Sequence, residues 1–445
     1  MEHLTTDGVD KKSREESEIK YRVDDKPPLA LSIALAIQHI LAAFTGIVAV
    51  PLIVGNALGL TAEQNTYIIS MTLFVSGIAT IIQAVGIGPV GGKIPMVMGT
   101  DFTFVGPGIA VASTLGLPGY FGATFFGSFI EIILSRFIKK LRNIFPPIVT
   151  GTVIVSIGLT MIPVAIDWIG GYGEYGILKN LFLAATVMIV IILLNQFGKG
   201  FFSSAAVLIG IIVGYILAAF MNMIDFSSVF EAGYFVMPQP LKYGLKFDLP
   251  ALLAFVPAYL VTTVETIGGG LLIFKACDEK YSSKKLSGSV LGDGVGSMLA
   301  GIFGAGPNTS FSQNIGIIPL TGVASRYVVA IAGGILMLMG VFPKLAALVN
   351  IMPSPVLGGA GVIMFGMIAV GGIKNFQEVD FNKRNSLILA ISLGLGLGVA
   401  VKPEILSHLP ETVQIIFRSG MTTATIFAIA LNLILPGREI QEETE

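Results

Sequence analysis

Long stretches without a single charge dictate what this chain can become. No Lys, Arg, Asp or Glu occurs from Pro27 to Ala62, from Phe102 to Ile130, or from Gly294 to Ser325. Runs longer than ~18 mostly apolar residues can cross the hydrocarbon core of a bilayer as helices. The rest of the sequence shares the bias. Of 445 residues, 53% are hydrophobic and 12% charged, and the mean hydropathy is +0.83, where a soluble domain carries roughly 25% charge. So few charges cannot solvate the surface of a globule, which makes an all-α polytopic membrane protein the expected fold class and argues against soluble enzymes. A single cysteine, Cys277, excludes an internal disulfide framework, and His3, His39 and His408 lie too far apart for a local metal motif. A net charge of −1 gives no footprint for nucleic acid. The N-terminal residues 1–28 read as a mixed-charge tail without the apolar run of a signal peptide.

Breaking the apolar stretches at charges and Gly/Pro clusters gives fourteen expected spans: 29–52, 66–87, 95–113, 119–138, 146–165, 180–197, 202–224, 250–274, 287–304, 308–322, 327–343, 354–372, 385–401 and 415–435. With the N-terminus placed in the cytoplasm, 21 of the 27 Lys and Arg residues fall on the inner side. This bias predicts that both termini, including the tail 436–445, face the cytoplasm of a cell-membrane protein.

The third span contains Gly99-Thr-Asp-Phe-Thr-Phe-Val-Gly-Pro-Gly108, and the tenth contains Pro307-Asn-Thr-Ser-Phe-Ser-Gln-Asn-Ile-Gly316. Polar residues and β-formers between Gly and Pro predict that each span becomes extended part-way across. Irregular backbone at that depth survives only where protein or a water-filled cavity satisfies it. Third and tenth are equivalent positions in two halves of seven spans, and an odd number of spans inverts the second half. Interrupted segments at matching positions point to a transporter's binding site. Two Gly-rich kinks in a plain bundle would be the simpler alternative.

Each ionisable group within a span costs about 2.5–3.5 kcal/mol at mid-helix. Glu265 in the eighth span, Asp293 in the ninth and Asp101 in the third therefore need a partner, a polar cavity or a proton. A protonated carboxyl that can release its proton suits a proton-coupled carrier, and a carboxyl tying two helices together is the structural alternative. His39, with Gln38, lies mid-way along the first span, where it can serve as hydrogen-bonder or proton carrier. Glu131 is expected to snorkel toward the basic run 136–142, Cys277 to have no specific role, and Lys275 to Lys285 to set topology.

Gln313-Asn-Ile-Gly-Ile-Ile-Pro-Leu-Thr-Gly322 resembles the signature of the nucleobase–ascorbate transporter (nucleobase:cation symporter-2) family. Gln38-His39, the Gly99-x-x-Phe102-x-Phe104 stretch and Glu265 match further parts of the family pattern in the same order, and the likeness spans roughly residues 28–436. The resemblance implies fourteen spans as an inverted repeat. A core domain would comprise spans 1–4 (29–138) and 8–11 (250–343), and a gate domain spans 5–7 (146–224) and 12–14 (354–435). The base would lie between the extended segments. Glu265 would hydrogen-bond ring N–H groups, Gln313 the other edge, and Phe102 would stack on the ring, with backbone around Phe311 and Ser312 completing the frame. Asp101 and Asn314 join this substrate-side set. Gln313, which offers donor and acceptor together, and Gly322 resemble the bacterial xanthine/urate members, which favours xanthine, then urate, then uracil.

One position departs from the pattern. Some members carry His or Asp one helical turn after the span-eight Glu, and here Gly269 occupies that place. Proton coupling is then expected from Glu265, Asp293 or His39, with sodium an open alternative and no other cofactor. The expected partners are a small nucleobase, the lipid bilayer and a second copy in a homodimer. A sulfate or dicarboxylate carrier of the same inverted fold, a passive channel and an intramembrane enzyme remain as competing classes.

Overall fold

The computed structural model describes residues 19–138, 146–171, 176–311 and 313–437. Lys139, Lys140, Arg142, Arg438, Ser312 and most of the N-terminal tail thus lie outside the described residues.

Two helices open the chain, α1 (Leu29–Ala57) and α2 (Ala62–Val85). Thr61 and Gln64 form a reciprocal capping box at the start of α2, which satisfies amide hydrogens that have no partner within the helix. The chain then extends as β1 (Val97–Thr100), tightens through a single turn at Phe102–Phe104, and continues as α3 (Val105–Leu134). The third and fourth expected spans meet within α3, with no loop between them. The bend falls at Gly116, whose φ of 69° and ψ of −172° leave the helical region, two residues before Pro118. A positive φ is cheap only for glycine, so this residue supplies the break that was expected as a loop. Helices α4 (Pro147–Gly170), α5 (Ile177–Phe197) and α6 (Ala206–Phe220) complete the first half.

The second half repeats the order. Helices α7 (Leu249–Ala276) and α8 (Ser283–Phe303) precede β2 (Asn308–Phe311), a turn at Gln313–Gly316 and the short α9 (Ile317–Thr321). Asp248 caps α7 on the Ala251 amide, and Ser282 caps α8 on Lys285. Next come α10 (Arg326–Val341) and α11 (Pro343–Asn350), bent 79° from each other, and then α12 (Ser354–Asn375) and α13 (Lys383–Val401). The last expected span is split into α14 (Glu411–Phe417) and α15 (Gly420–Ile434), where Ser419 caps the second piece on Thr422.

Among the described residues nine helices are long and apolar enough to cross a membrane, ten if the bent pair α10–α11 counts as one span. The other expected spans fall on shorter pieces, including both extended segments. β1 and β2 form one antiparallel pair in the register Val97↔Phe311, Met98↔Ser310, Gly99↔Thr309 and Thr100↔Asn308. An extended segment after the second helix of each half, meeting its counterpart head to tail, is the arrangement expected of two inverted repeats.

Small residues set the helix packing. A Cβ at Gly77 of α2 would lie 2.4 Å from the Met337 amide nitrogen of α10, and one at Gly158 of α4 would lie 2.5 Å from that of Ala369 in α12. Backbones this close replace the hydrophobic drive that lipid cannot supply. Helix α2 packs on α10, and α3 on both α7 and α8, while α4 packs on α12 and α13 on α15. Before α1, Tyr21 pairs with Val323, and Arg326 bonds Asp24 at 2.6 Å and the Ala84 carbonyl at 2.9 Å. This contact ties the start of the described chain to the loop after α9.

Candidate functional site

The β1–β2 pair is short, so its outward hydrogen-bonding groups must be satisfied by the helices around it. Thr80 of α2 accepts from the Met98 amide at 2.9 Å, and Thr100 donates to the Ile47 carbonyl of α1 at 2.8 Å. Ser297 of α8 donates to the Asn308 carbonyl and accepts from its amide, both at 3.0 Å, and Ser76 donates to the Asn308 side chain at 3.2 Å. A fence of hydroxyls therefore takes the place of further strands and holds extended backbone deep inside the protein.

Acidic residues converge beside this pair. Asp293 of α8 is fully buried and accepts from Ser310 of β2 at 2.9 Å and from Thr266 of α7. Thr266 also lies 3.4 Å from Thr309. Asp101 follows β1 and accepts the Thr103 amide at 2.7 Å, capping the turn that leads into α3. Glu265 is half-buried on α7, one residue before Thr266. It forms no hydrogen bond or ion pair among the described residues, and it stands in the negative field of Asp101. Asp101 acts on Asp293 in the same way. The structure thus brings the three expected carboxyls into one electrostatic neighbourhood at the junction of the strands. None forms an ion pair with Lys or Arg among the described residues.

Other candidates take more specific places. Phe102 is nearly buried, with its ring edge-on to Phe365 of α12 at 5.2 Å between centroids, and Phe365 in turn leans on Trp168. Phe311 points away from the acidic groups. A Cβ at Gly46 or at Gly99 would fall 2.6 or 2.7 Å from its ring atoms, so the ring fills the space that those two glycines open. Asn314 is buried, and its amide donates to the His39 carbonyl at 2.7 Å and lies 3.2 Å from His39 Nδ1. If that amide donates to Nδ1 as well, the ring proton sits on Nε2, a placement inferred from the network. His39 is therefore a tie between α1 and the turn after β2. Of the Gln313 side chain and of Ser312 nothing is described. Gly269 is buried in α7.

Glu131 departs from expectation. It does not reach toward the basic run; it is fully buried in α3, where Oε1 lies 2.7 Å from Thr262 Oγ1 of α7. Helix α3 approaches α8 closely beside it, where a Cβ at Gly294 would lie 3.1 Å from the Ile132 amide nitrogen. Sequence reasoning missed this residue together with Thr262, Thr266 and Ser310. The signal was there in Thr262-x-x-x-Thr266 around Glu265, because residues four apart share one face of a helix.

Residues 31–405 match the model of the Permease family, that of the nucleobase–ascorbate transporters. The chain belongs to that family. It is 40% identical over 423 residues to the xanthine permease of Bacillus subtilis (strain 168), covering 93% of this chain and 97% of the relative. It is also 40% identical over 414 residues to the uric acid transporter UacT of Escherichia coli (strain K12), covering 91% and 86%. The fold is that of the transmembrane domain of a cyanobacterial bicarbonate transporter, BicA, with a TM-score of 0.58 at 14% identity, covering 89% of this chain and all of that one. At that identity the likeness concerns architecture alone.

Proposed function

We propose that this chain is a secondary active transporter that brings an oxopurine nucleobase, xanthine first and urate next, into the cell together with a proton. The observation that carries the reading is the convergence of Glu265, Asp293 and Asp101 on an antiparallel strand pair held within the membrane. A planar, hydrogen-bonding substrate suits such a site. Sulfate or a dicarboxylate would bring two negative charges into a field of the same sign with no ring N–H to offer the carboxyls, which disfavours both. The names of the two relatives support the same substrate class.

In this reading Glu265 hydrogen-bonds ring N–H groups of the base and Gln313 the opposite edge, and Phe102 stacks its face on the ring. A proton, with sodium the alternative, neutralises the acidic cluster so that the loaded site can move at lower electrostatic cost. The moving body is the core, 29–138 with 250–343, and it works against a gate of 146–224 with 354–435. Both termini lie in the cytoplasm, and two copies pair in the cell membrane. The protein alters the position of its substrate and no bond within it.

Uptake of labelled xanthine, urate, uracil and sulfate in a permease-deficient host, with and without a protonophore, tests this. Protonophore-sensitive accumulation of xanthine or urate is expected. Sulfate uptake, or uptake indifferent to the protonophore, would overturn the reading.

A further inference from the structure

The acidic cluster has a buried member that the substrate site does not use. Glu131 Oε1 meets Thr262 Oγ1, and Oε2 is buried with no hydrogen-bond partner among the described residues. Asp293 is equipped differently, with a hydroxyl donor on each oxygen, from Thr266 and Ser310. The two carboxyls flank the close contact of α3 with α8, where a Cβ at Gly294, next to Asp293, would lie 3.1 Å from the amide nitrogen of Ile132, next to Glu131. The groups facing Glu131 are Thr262 and Tyr259 from α7, Asp293 from α8 and Asp101 from the turn after β1. None is a cation.

Two like charges cannot both persist in a dry site without a counter-ion. The hydroxyl count decides where the one charge rests. At rest Asp293 carries it, since both oxygens are solvated by hydroxyl groups, whereas an ionised Glu131 leaves Oε2 bare. Thr262 suits a group that changes protonation state. Beside a neutral Glu131 it accepts the acid proton on Oγ1 and donates its own to the Ala258 carbonyl 3.2 Å away. Beside an ionised Glu131 it turns that hydrogen to Oε1. One hydroxyl has a single hydrogen to give, so this site can serve both states without moving a heavy atom.

We propose that Glu131 is a proton-holding group of the transport cycle, pairing with Asp293 so that the two carboxyls share one proton. The proton rests on Glu131 while Ser310 and Thr266 donate to Asp293. It shifts to Asp293 when the loaded site draws Ser310, on β2, toward the substrate. From Asp293 the proton is released toward the cytoplasm and the pair takes up another, so that one proton crosses with each substrate, and Glu131 never touches the base. This deepens the proposed symport and rests on it.

The test uses purified protein in proteoliposomes with an imposed pH gradient, comparing uphill accumulation of labelled xanthine with its equilibrium exchange. In Glu131→Gln, accumulation should fall about tenfold or more and exchange far less, because coupling and binding are separable free energies. The pH–uptake profile should also change, since one carboxyl titrates where a coupled pair did. Glu131→Asp should recover part of the coupling. Thr262→Val, which keeps the carboxyl and removes its hydroxyl partner, should displace the profile too, and it decides the matter if Glu131→Gln does not fold. Wild-type coupling and an unmoved pH profile in these variants would overturn the proposal. Failure of the wild type to accumulate xanthine under the gradient sinks the symport reading instead. In that case the infrared band of a buried protonated carboxyl, present in the wild type, lost in Glu131→Gln and shifted in Glu131→Asp, still reports whether Glu131 holds a proton, and its absence from the wild type would overturn that assignment.

Discussion

At the scale of single residues, the carboxyls differ in what surrounds them more than in what they are. Asp293 is solvated by two hydroxyls, Asp101 spends an oxygen on capping a turn, and Glu265 has no partner among the described residues. A group left free beside a binding junction is the one available to a ligand. Glu265→Gln keeps the shape and cannot exchange a proton, so uphill uptake in energised vesicles should vanish, and wild-type accumulation would contradict the assignment. Phe102→Ala should raise the Kd for xanthine by about 1–3 kcal/mol, roughly 5- to 150-fold, if the ring stacks on the base, as read by scintillation proximity binding. Cys277, just beyond α7, gives a chemical control. Burial pushes its thiol up to about 12, so the thiolate that reacts with maleimide is scarce below that pH. Wild-type protein should resist labelling at neutral pH and become reactive only as the solution turns strongly alkaline or the fold opens.

At the scale of elements, the strand pair and the glycine contacts explain how a membrane protein holds non-helical chain. Thr80→Val removes the acceptor of the Met98 amide and leaves a buried N–H without a partner. Such a loss costs about 1–3 kcal/mol, measurable as a lower melting temperature in detergent. Gly77→Ala places a methyl 2.4 Å from the Met337 nitrogen, forcing α2 and α10 apart. Overpacking of this kind costs typically about 1–3 kcal/mol, and the same melting assay reads it. A Gly77→Ala protein as stable as wild type would mean that the two backbones have room to separate.

For the whole molecule, the proposed cycle requires core and gate to slide. The start of α3 touches the start of α15 closely enough to test this, since a Cβ built on Gly106 lies 3.3 Å from the Ser419 Cβ, near the separation that a disulfide spans. Gly106→Cys combined with Ser419→Cys, in a Cys277→Ser background, should lose xanthine uptake on oxidation and regain it with reductant. Uptake that persists with the bridge formed would rule out relative movement at this contact.

Membrane insertion, the two broken segments and their place in an inverted repeat were all legible in the chain, because hydropathy and Gly/Pro punctuation act locally and lipid allows few exceptions. The family was legible too, since Gln313-Asn314-x-Gly316 and Glu265 are short motifs. The fate of Glu131 was not. Its neighbours in sequence, Arg136 and the basic residues after it, suggested a side chain reaching outward, but its neighbours in space, Thr262 and Asp293, come from helices more than a hundred residues away. Likewise only packing shows that the Phe311 ring fills the space beside Gly46 and Gly99 and that His39 is bonded to Asn314. Local composition determines which segments enter the bilayer and where they break. Which buried polar groups find partners, and which are left to hold a charge or a proton, is decided only when distant helices meet, because hydrogen bonds and repulsions in a dry interior depend on distances that no stretch of sequence encodes alone.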